Sequence, residues 1–310
     1  MKLDSKIYVA GHSGMVGSAI VRRLHQLGYK NIVTKTSKEL NLIRQDEVEK
    51  FFEEERPEFV FLAAAKVGGI YANDTFPAEF IYNNLMIEAN VIHNAYKYKV
   101  KKLLFLGSSC IYPKMAAQPI KEEYLLTGPL ESTNEAYAMA KLSGIALCKF
   151  YRKQFGCNFI SVMPTNLYGI NDNFDLKTSH VLPALIRKFH EAKINGDQQV
   201  VIWGTGKPKR EFLFVDDLAD ACVHLMKNYN NEMHVNVGTG KDLEIGKLAN
   251  IIKDVVGYDG DIINDLTKPD GTPRKLLDVS LLKSTGWTSS TNLKEGIEKV
   301  YHWYVSQYHK

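Results

Sequence analysis

The chain predicts an α/β protein in which a Rossmann-type doubly wound parallel sheet is followed by a smaller C-terminal α/β lobe. Three observations carry that expectation: apolar strand-like runs alternate with amphipathic helical runs through the first half, a GxxGxxG triplet separates the first strand from the first helix, and the alternation loosens after about residue 165. In order, strands are expected near 6–10 (KIYVA), 31–34, 58–64 (EFVFLAA), 101–106 (KKLLFL) and 158–163 (NFISVM). Helices near 15–27, 46–55, 77–98 and 134–155 fall between them. Beyond these come a helix at 180–193, a strand QVVIW, a helix at 216–227, a strand MHVNV and helices at 244–256 and 293–308. This half is read as carrying fewer strands and more loops, NDLTKPDGTPRK among them. The expected division is 1–170 for the first lobe, with later segments returning to it, and 171–310 for the second.

Bulk properties exclude several classes. The 310 residues suffice for a substantial core, and 45% hydrophobic with 24% charged residues is ordinary globular composition. No run approaches the ~20 apolar residues of a membrane span; the longest candidate, FVFLAAAKVGGI, is broken by Lys66. The start, MKLDSK, is charged and enters a strand at once, which predicts no secretory signal and a cytoplasmic location. The four cysteines show no CxxC spacing, so neither a metal site nor a disulfide framework is expected. A formal charge of +4, spread without a basic block, argues against a nucleic-acid partner and suits an anionic small molecule.

Gly11, Gly14 and Gly17, with His12, Ser13, Met15 and Val16 between them, stand where a strand turns into a helix. Such a loop needs glycine for its tight turn and for close approach of the backbone to a pyrophosphate, which the helix N-terminus then binds. A triplet of this kind alone is often a mere turn; its place after the first strand of an alternating chain makes it a cofactor loop. An NAD enzyme usually carries an acid at the tip of the second strand to hold the ribose diol. Here the tip reads VTKTSK, with no acid before Glu39, and Lys35 and Lys38 favour a 2′-phosphate, hence NADPH, although two such lysines are also compatible with plain solvated charges.

NEAYAMAKLSG places Tyr137 and Lys141 four residues apart on one helix face. A phenol near pKa ~10 is a poor proton carrier at neutrality unless a cation lowers it, and the lysine is expected to do so. By itself YxxxK is a common solvated face. With the glycine loop upstream and Ser108 at a strand end between them, the order loop, Ser, Tyr, Lys resembles the extended short-chain dehydrogenase/reductases, whose catalytic triad matches Ser108, Tyr137 and Lys141. In that family Tyr exchanges a proton with the substrate oxygen, Ser hydrogen-bonds the same oxygen, and Lys binds the nicotinamide ribose. Positioned acid/base groups of this type contribute roughly 10²–10⁴-fold in rate.

Further blocks, AGHSGMVGSAI, LAAAKVGGIYAN, LLFLGSSCIYPK, ESTNEAYAMAK, SVMPTNLYG, SHVLPALIRKFHEA, VVIWGTG, REFLFVDDLA and KPDGTPRKLLDVS, resemble the GDP-L-fucose synthase branch over nearly the whole chain. The resemblance implies an NADPH-dependent reductase of GDP-4-keto-6-deoxymannose that also inverts C3 and C5, with Cys110 and His180 as the proton-exchanging pair. A lone cysteine after a strand is usually filler and a lone histidine opening a helix usually a capping group; the joint match sets both readings aside. The same carry-over places Leu106, Gly107, Ser37, Pro164, Thr165, Asn166, Leu167 and His180 at the cofactor, and Asn166, Lys188, Trp203, Arg210 and Asp270 at the nucleotide sugar. Ser13 and Ser37 stand where some members use arginines for the 2′-phosphate. A homodimer through the helices at 77–98 and 134–155 is also implied. A 4,6-dehydratase is disfavoured because SSCIY lacks the Asp-Glu pair of that class. A dedicated C4 reductase of a related GDP-linked hexose or heptose, and a non-catalytic NADP-sensing scaffold, are the remaining alternatives.

Overall fold

The computed structural model describes residues 1–268 and 270–308. The first lobe runs β1 (Ile7–Ala10), α1 (Met15–Gln26), β2 (Ile32–Val33), α2 (Gln45–Glu55), β3 (Phe59–Leu62), α3 (Ile70–Thr75), α4 (Pro77–Lys97), β4 (Lys102–Leu106), α5 (Glu135–Phe155) and β5 (Phe159–Pro164). There follow β6 (Asn166–Tyr168), α6 (Val181–Asn195), β7 (Gln199–Trp203), β8 (Lys209–Phe214), α7 (Val215–Asn228) and β9 (Val235–Val237). The chain closes with β10 (Asp242–Glu244), α8 (Ile245–Val256), β11 (Asp261–Asp265), β12 (Arg274–Lys275), α9 (Ser280–Ser284) and α10 (Leu293–Tyr308).

The main sheet is parallel, in the order β2-β1-β3-β4-β5-β9. Every residue of β1, β3, β4 and β5 is buried, as a sheet covered by helices on both faces requires, and this is why those strands read as continuous apolar runs. Strand order reverses between β1 and β3, so the ligand crevice opens at the carboxyl ends of these strands. α4 begins with Pro77, where a missing N–H costs nothing, and α5 stops at Gly156, whose φ of 69° an L side chain adopts only with strain.

A second hydrophobic cluster, built around Phe189, Phe212, Leu248, Ile252, Ile297 and Val300, holds α6, β8, α8 and α10 together. Two smaller sheets serve it: β10-β8-β12 with β6 beside β8, and β11 beside β7. The later half is therefore richer in strands than the sequence reading allowed. Strands β6, β8, β10, β11 and β12 and helices α3 and α9 were not foreseen, and β2 is two residues long where four were expected. Charged ends, as in KREFLF and DIIND, and partners distant in sequence leave such short strands without a periodic signal. No described helix is long and apolar enough to cross a membrane.

Glu211, wholly buried on β8, holds this lobe's sheet to the neighbouring turns. Its carboxylate accepts the N–H of Gly240 at 2.7 Å, the N–H of Leu277 at 3.0 Å and the hydroxyl of Thr239 at 3.3 Å. Its backbone carbonyl accepts the Asn166 amide at 2.8 Å, tying β8 to the strand that follows β5. Burial raises the carboxyl pKa, and the backbone donors oppose that. Glu211→Ala leaves buried donors unpaired and is expected to cost about 2–4 kcal/mol, read as a lower urea midpoint at unchanged slope; Glu211→Gln, which keeps one acceptor oxygen, is expected to lose less.

Candidate active site

The glycine loop lies at the carboxyl end of β1. Gly11 has φ +82°, and a Cβ there meets the Ala63 carbonyl oxygen at 2.8 Å; a Cβ on Gly17 meets the Gly11 oxygen at 2.1 Å. The loop therefore presents bare backbone to the crevice, and α1, with Gly14 as its N-cap residue, has no side-chain cap on its first amides. His12 Nδ1 is buried with no hydrogen-bond partner among the described residues. These features fit the diphosphate of a dinucleotide. After β2, Glu39 is engaged locally, accepting the N–H of Thr36 at 2.8 Å and its hydroxyl at 2.6 Å. These bonds hold its pKa down, with smaller help from Lys35 and His12. Lys35, Ser37 and Lys38 flank that turn, Ser37 and Lys38 exposed. Ser13 is exposed in the loop, and Met15 and Val16 open α1, half-buried.

At the carboxyl end of β4, Leu106 and Gly107 lead into Ser108. A Cβ on Gly107 would lie 2.3 Å from Met163 Sδ, so a larger residue there displaces the methionine side chain. The Ser108 hydroxyl accepts the N–H of Cys110 at 3.4 Å, starting a single 3-10 turn over Ser109–Ile111. Cys110 is 9% exposed. Burial pushes its thiol up, while Lys275, Ser108 and Lys141 pull it down. The sulfur therefore lies at the edge of the core, its thiol raised by burial and within the electrostatic reach of Lys275, Ser108 and Lys141.

On α5, Lys141 Nζ donates to the Leu106 carbonyl at 3.0 Å and pairs with Glu88 Oε1 at 3.0 Å. It lies 4.7 Å from the Phe105 ring centroid and 5.8 Å from that of Tyr137. Tyr137 does not show the lowered pKa foreseen from its lysine neighbour. Burial holds the phenol well above the ordinary tyrosine value, and Cys110 and Glu88 raise it further. The physical reason is first the burial of the ring, and after it the Cys110 and Glu88 side chains, the latter also facing the Lys141 cation.

His180 enters from the other side, at the residue preceding α6. The loop after β3 fixes its approach: Gly69 N–H donates to the Thr178 carbonyl at 3.0 Å, and Asn73 donates to the carbonyls of Gly68 at 2.7 Å and Gly69 at 3.0 Å. His180 is exposed, yet the protein around it desolvates the ring and lowers its pKa, with Lys275 adding to the effect. Pro164 ends β5, Thr165 donates its N–H to Val237 at 3.0 Å, and Asn166 and Leu167 continue into β6.

The remaining foreseen residues form a separate group on the second lobe. Trp203 is 65% exposed and so is no core residue; Lys188 Nζ stands 5.8 Å and Lys268 Nζ 5.5 Å from its ring centroid. Arg210 donates to the carbonyls of Lys209 at 2.8 Å and Thr272 at 2.6 Å, and burial lowers its pKa. Asp270 accepts the Thr205 N–H at 2.8 Å and its hydroxyl at 2.7 Å, anchoring the turn that follows Trp203.

Sequence reasoning missed two residues. Lys275 on β12 pairs in register with Arg210 on β8 and acts electrostatically on both Cys110 and His180, so it joins the two groups. No local signal marks it, since its place follows from a pairing between distant segments. Glu88 carried a readable signal: it shares an α4 face with the buried Asn84, Ile87, Val91, Ile92 and Ala95, where helical periodicity calls for an apolar side chain.

Residues 7–238 match the NAD dependent epimerase/dehydratase family. A GDP-L-fucose synthase of Arabidopsis thaliana is 60% identical over 302 residues, 97% of this chain and 94% of the relative. Among solved structures, a GDP-L-fucose synthetase from Naegleria fowleri bound to NADP superposes with a TM-score of 0.94 at 32% identity, covering 100% of this chain and 95% of that one. A GDP-mannoheptose C4 reductase from Campylobacter jejuni with NADP bound gives 0.92 at 43% identity, covering 98% and 99%.

Lys275→Met removes the cation that favours the Cys110 thiolate. Iodoacetamide labelling of Cys110, followed by peptide mass spectrometry near pH 8, is expected to slow about three- to tenfold, with Cys148 and Cys222 serving as buried controls.

Proposed function

Because the chain belongs to the NAD dependent epimerase/dehydratase family and groups within it with the GDP-L-fucose synthases, we propose that it epimerises C3 and C5 of a GDP-4-keto-6-deoxy sugar and reduces its C4 ketone with NADPH, giving GDP-L-fucose or a close analogue. One observation supports this above the others: Ser108, Cys110, Tyr137 and Lys141 from the first lobe and His180 from the second are joined through Lys275 in a single electrostatic cluster at the crevice.

NADPH, when bound, supplies the hydride that reduces the ketone carbon. Residues suited to hold it are the loop Gly11 to Gly17, the cations Lys35 and Lys38 with Ser37 at the 2′-phosphate, Leu106, Gly107 and Lys141 at the ribose side, and Pro164, Thr165, Asn166 and Leu167 beyond. Tyr137 delivers a proton to the ketone oxygen while Ser108 donates a hydrogen bond to it. The ketone thus gains a hydride and a proton and becomes an alcohol, and NADP⁺ is the oxidised product.

Epimerisation needs no net redox change. Carbons beside the ketone are acidic because the enolate places its charge on oxygen, which Ser108 and Tyr137 solvate as donors. Cys110, as thiolate opposite Lys275, takes the proton from one face. His180, whose charged form is disfavoured by burial and by Lys275, releases a proton readily to the other face. Lys188 and Arg210 answer the diphosphate, Trp203 offers an open ring face to the base or sugar, and Asp270 steadies the turn after it.

The C4 reductase likeness favours a second reading, in which epimerisation is left to another enzyme. Solvent deuterium separates the two. With NADPH omitted, deuterium is expected to enter C3 and C5 of the recovered sugar, and Cys110→Ala is expected to slow that uptake by about 10²–10⁴-fold while leaving the fold intact. Protium retained at both carbons sinks the bifunctional reading and leaves the reductase. Lys35→Ala with Lys38→Ala is expected to reduce the preference for NADPH over NADH about tenfold or more in steady-state oxidation assays.

We place the reaction in the cytoplasm and the chain in a homodimer formed through the outer faces of α4 and α5, where Tyr82 and Phe150 are each 58% exposed.

A further inference from the structure

The sequence reading sets the Lys141 ammonium beside Tyr137, yet the same ammonium is paired with a carboxylate from another helix. Glu88 is 1% exposed and Lys141 2%, and they meet at 3.0 Å, with Lys141 Nζ 5.8 Å from the Tyr137 ring centroid. The contact is built into the packing. Gly144 leaves the space for the carboxylate, since a Cβ there lies 2.8 Å from Glu88 Oε2 and 2.3 Å from Phe105 Cζ. Leu106, the last residue of β4 and two before Ser108, accepts a hydrogen bond from Lys141.

We propose that Glu88 is a positioning residue: through its buried ion pair it holds Lys141 in place and offsets its charge, so that Tyr137 stays a phenol and the site is committed to giving a proton to a carbonyl rather than taking one from an alcohol. The inference rests on the reductase reading and adds to it a direction.

Three titratable groups face the pair: Tyr137 and Cys148 from α5 and Cys110 from the turn after β4. Lys275 on β12 acts on Cys110, and Arg152 on Cys148. Tyr137 carries a raised pKa, to which Glu88 contributes, and Glu88 is itself raised by burial, with Lys141 pulling it back. The sign follows. A nearby negative charge makes Tyr137 hold its proton to higher pH, and removing that charge lets the proton leave at lower pH. Ketone reduction needs the protonated phenol, so its rate falls as pH rises through that value.

Glu88→Gln keeps shape and removes charge. In this variant the basic limb of kcat/KM for NADPH-dependent reduction is expected to move down by about one pH unit or more, with KM for the sugar within about twofold of its original value. A basic limb that stays in place in a folded, active variant overturns the proposal. A second measurement uses the unaltered protein. With ¹³C-labelled tyrosine, the Tyr137 ring carbon, assigned by its loss in Tyr137→Phe, is expected to remain phenolic through about pH 10, the value of a free tyrosine. A phenolate signal growing in below about pH 9 overturns the proposal even if Glu88→Gln does not fold. Because the carbon signal needs no substrate, a chain that keeps this proton but turns over no GDP-sugar sinks the functional reading alone.

Discussion

A lysine ammonium withdrawn from water survives only where its donors are satisfied and its charge is answered. Lys141 meets both conditions by reaching across two elements at once, to the Leu106 carbonyl at the end of β4 and to Glu88 on α4. Losing Glu88 strands a buried charge, at a cost of about 3–5 kcal/mol. The register of α5 against β4 and α4 is set by that requirement. Tyr137, one turn earlier on α5, and Ser108, two residues beyond Leu106, are carried into position with it. The reaction centre of the first lobe is in this sense a by-product of solvating one cation with protein.

The second lobe meets the same centre through a different constraint. Among the described residues Glu211 has no cation partner in its hydrogen bonds, only backbone amides and a hydroxyl, and its burial raises its pKa. What it achieves is geometric: it fastens β8 to the turn around Gly240 and to the segment following β12. Arg210 and Lys275 stand side by side as a result, one turned toward the group around Asp270 and the other acting on Cys110 and His180. The clasp between Gly69 and Thr178 closes the arrangement from the first lobe.

Much of the first lobe was legible because β1, β3, β4 and β5 are buried on both faces and therefore spell uninterrupted apolar runs. The later strands were not, because β11 borrows its stability from β7 and β12 from β8, partners some sixty residues away that no window reveals. Among site residues, Ser108, Tyr137 and Lys141 announce themselves by order and spacing. Cys110 and His180 are unremarkable singly, and only the resemblance joined them. The expected lowering of Tyr137 by Lys141 failed chiefly because the ring is buried, with Cys110 and Glu88 adding to it, and neither burial nor pairing between helices is visible to a reading that follows one helix at a time.

β9 completes the main sheet by pairing Val235, Asn236 and Val237 with Val162, Met163 and Pro164, although most of the second lobe's α6, β7, β8 and α7 is spelled out before it. While the chain is being made, the outer edge of β5 therefore waits bare until Val237 leaves the ribosome, on the order of ten seconds at ordinary elongation rates. The nascent protein carries an open, β-branched template through that interval, the kind of edge that recruits wrong partners or a chaperone. Pro164, with no N–H to offer, blunts its far end.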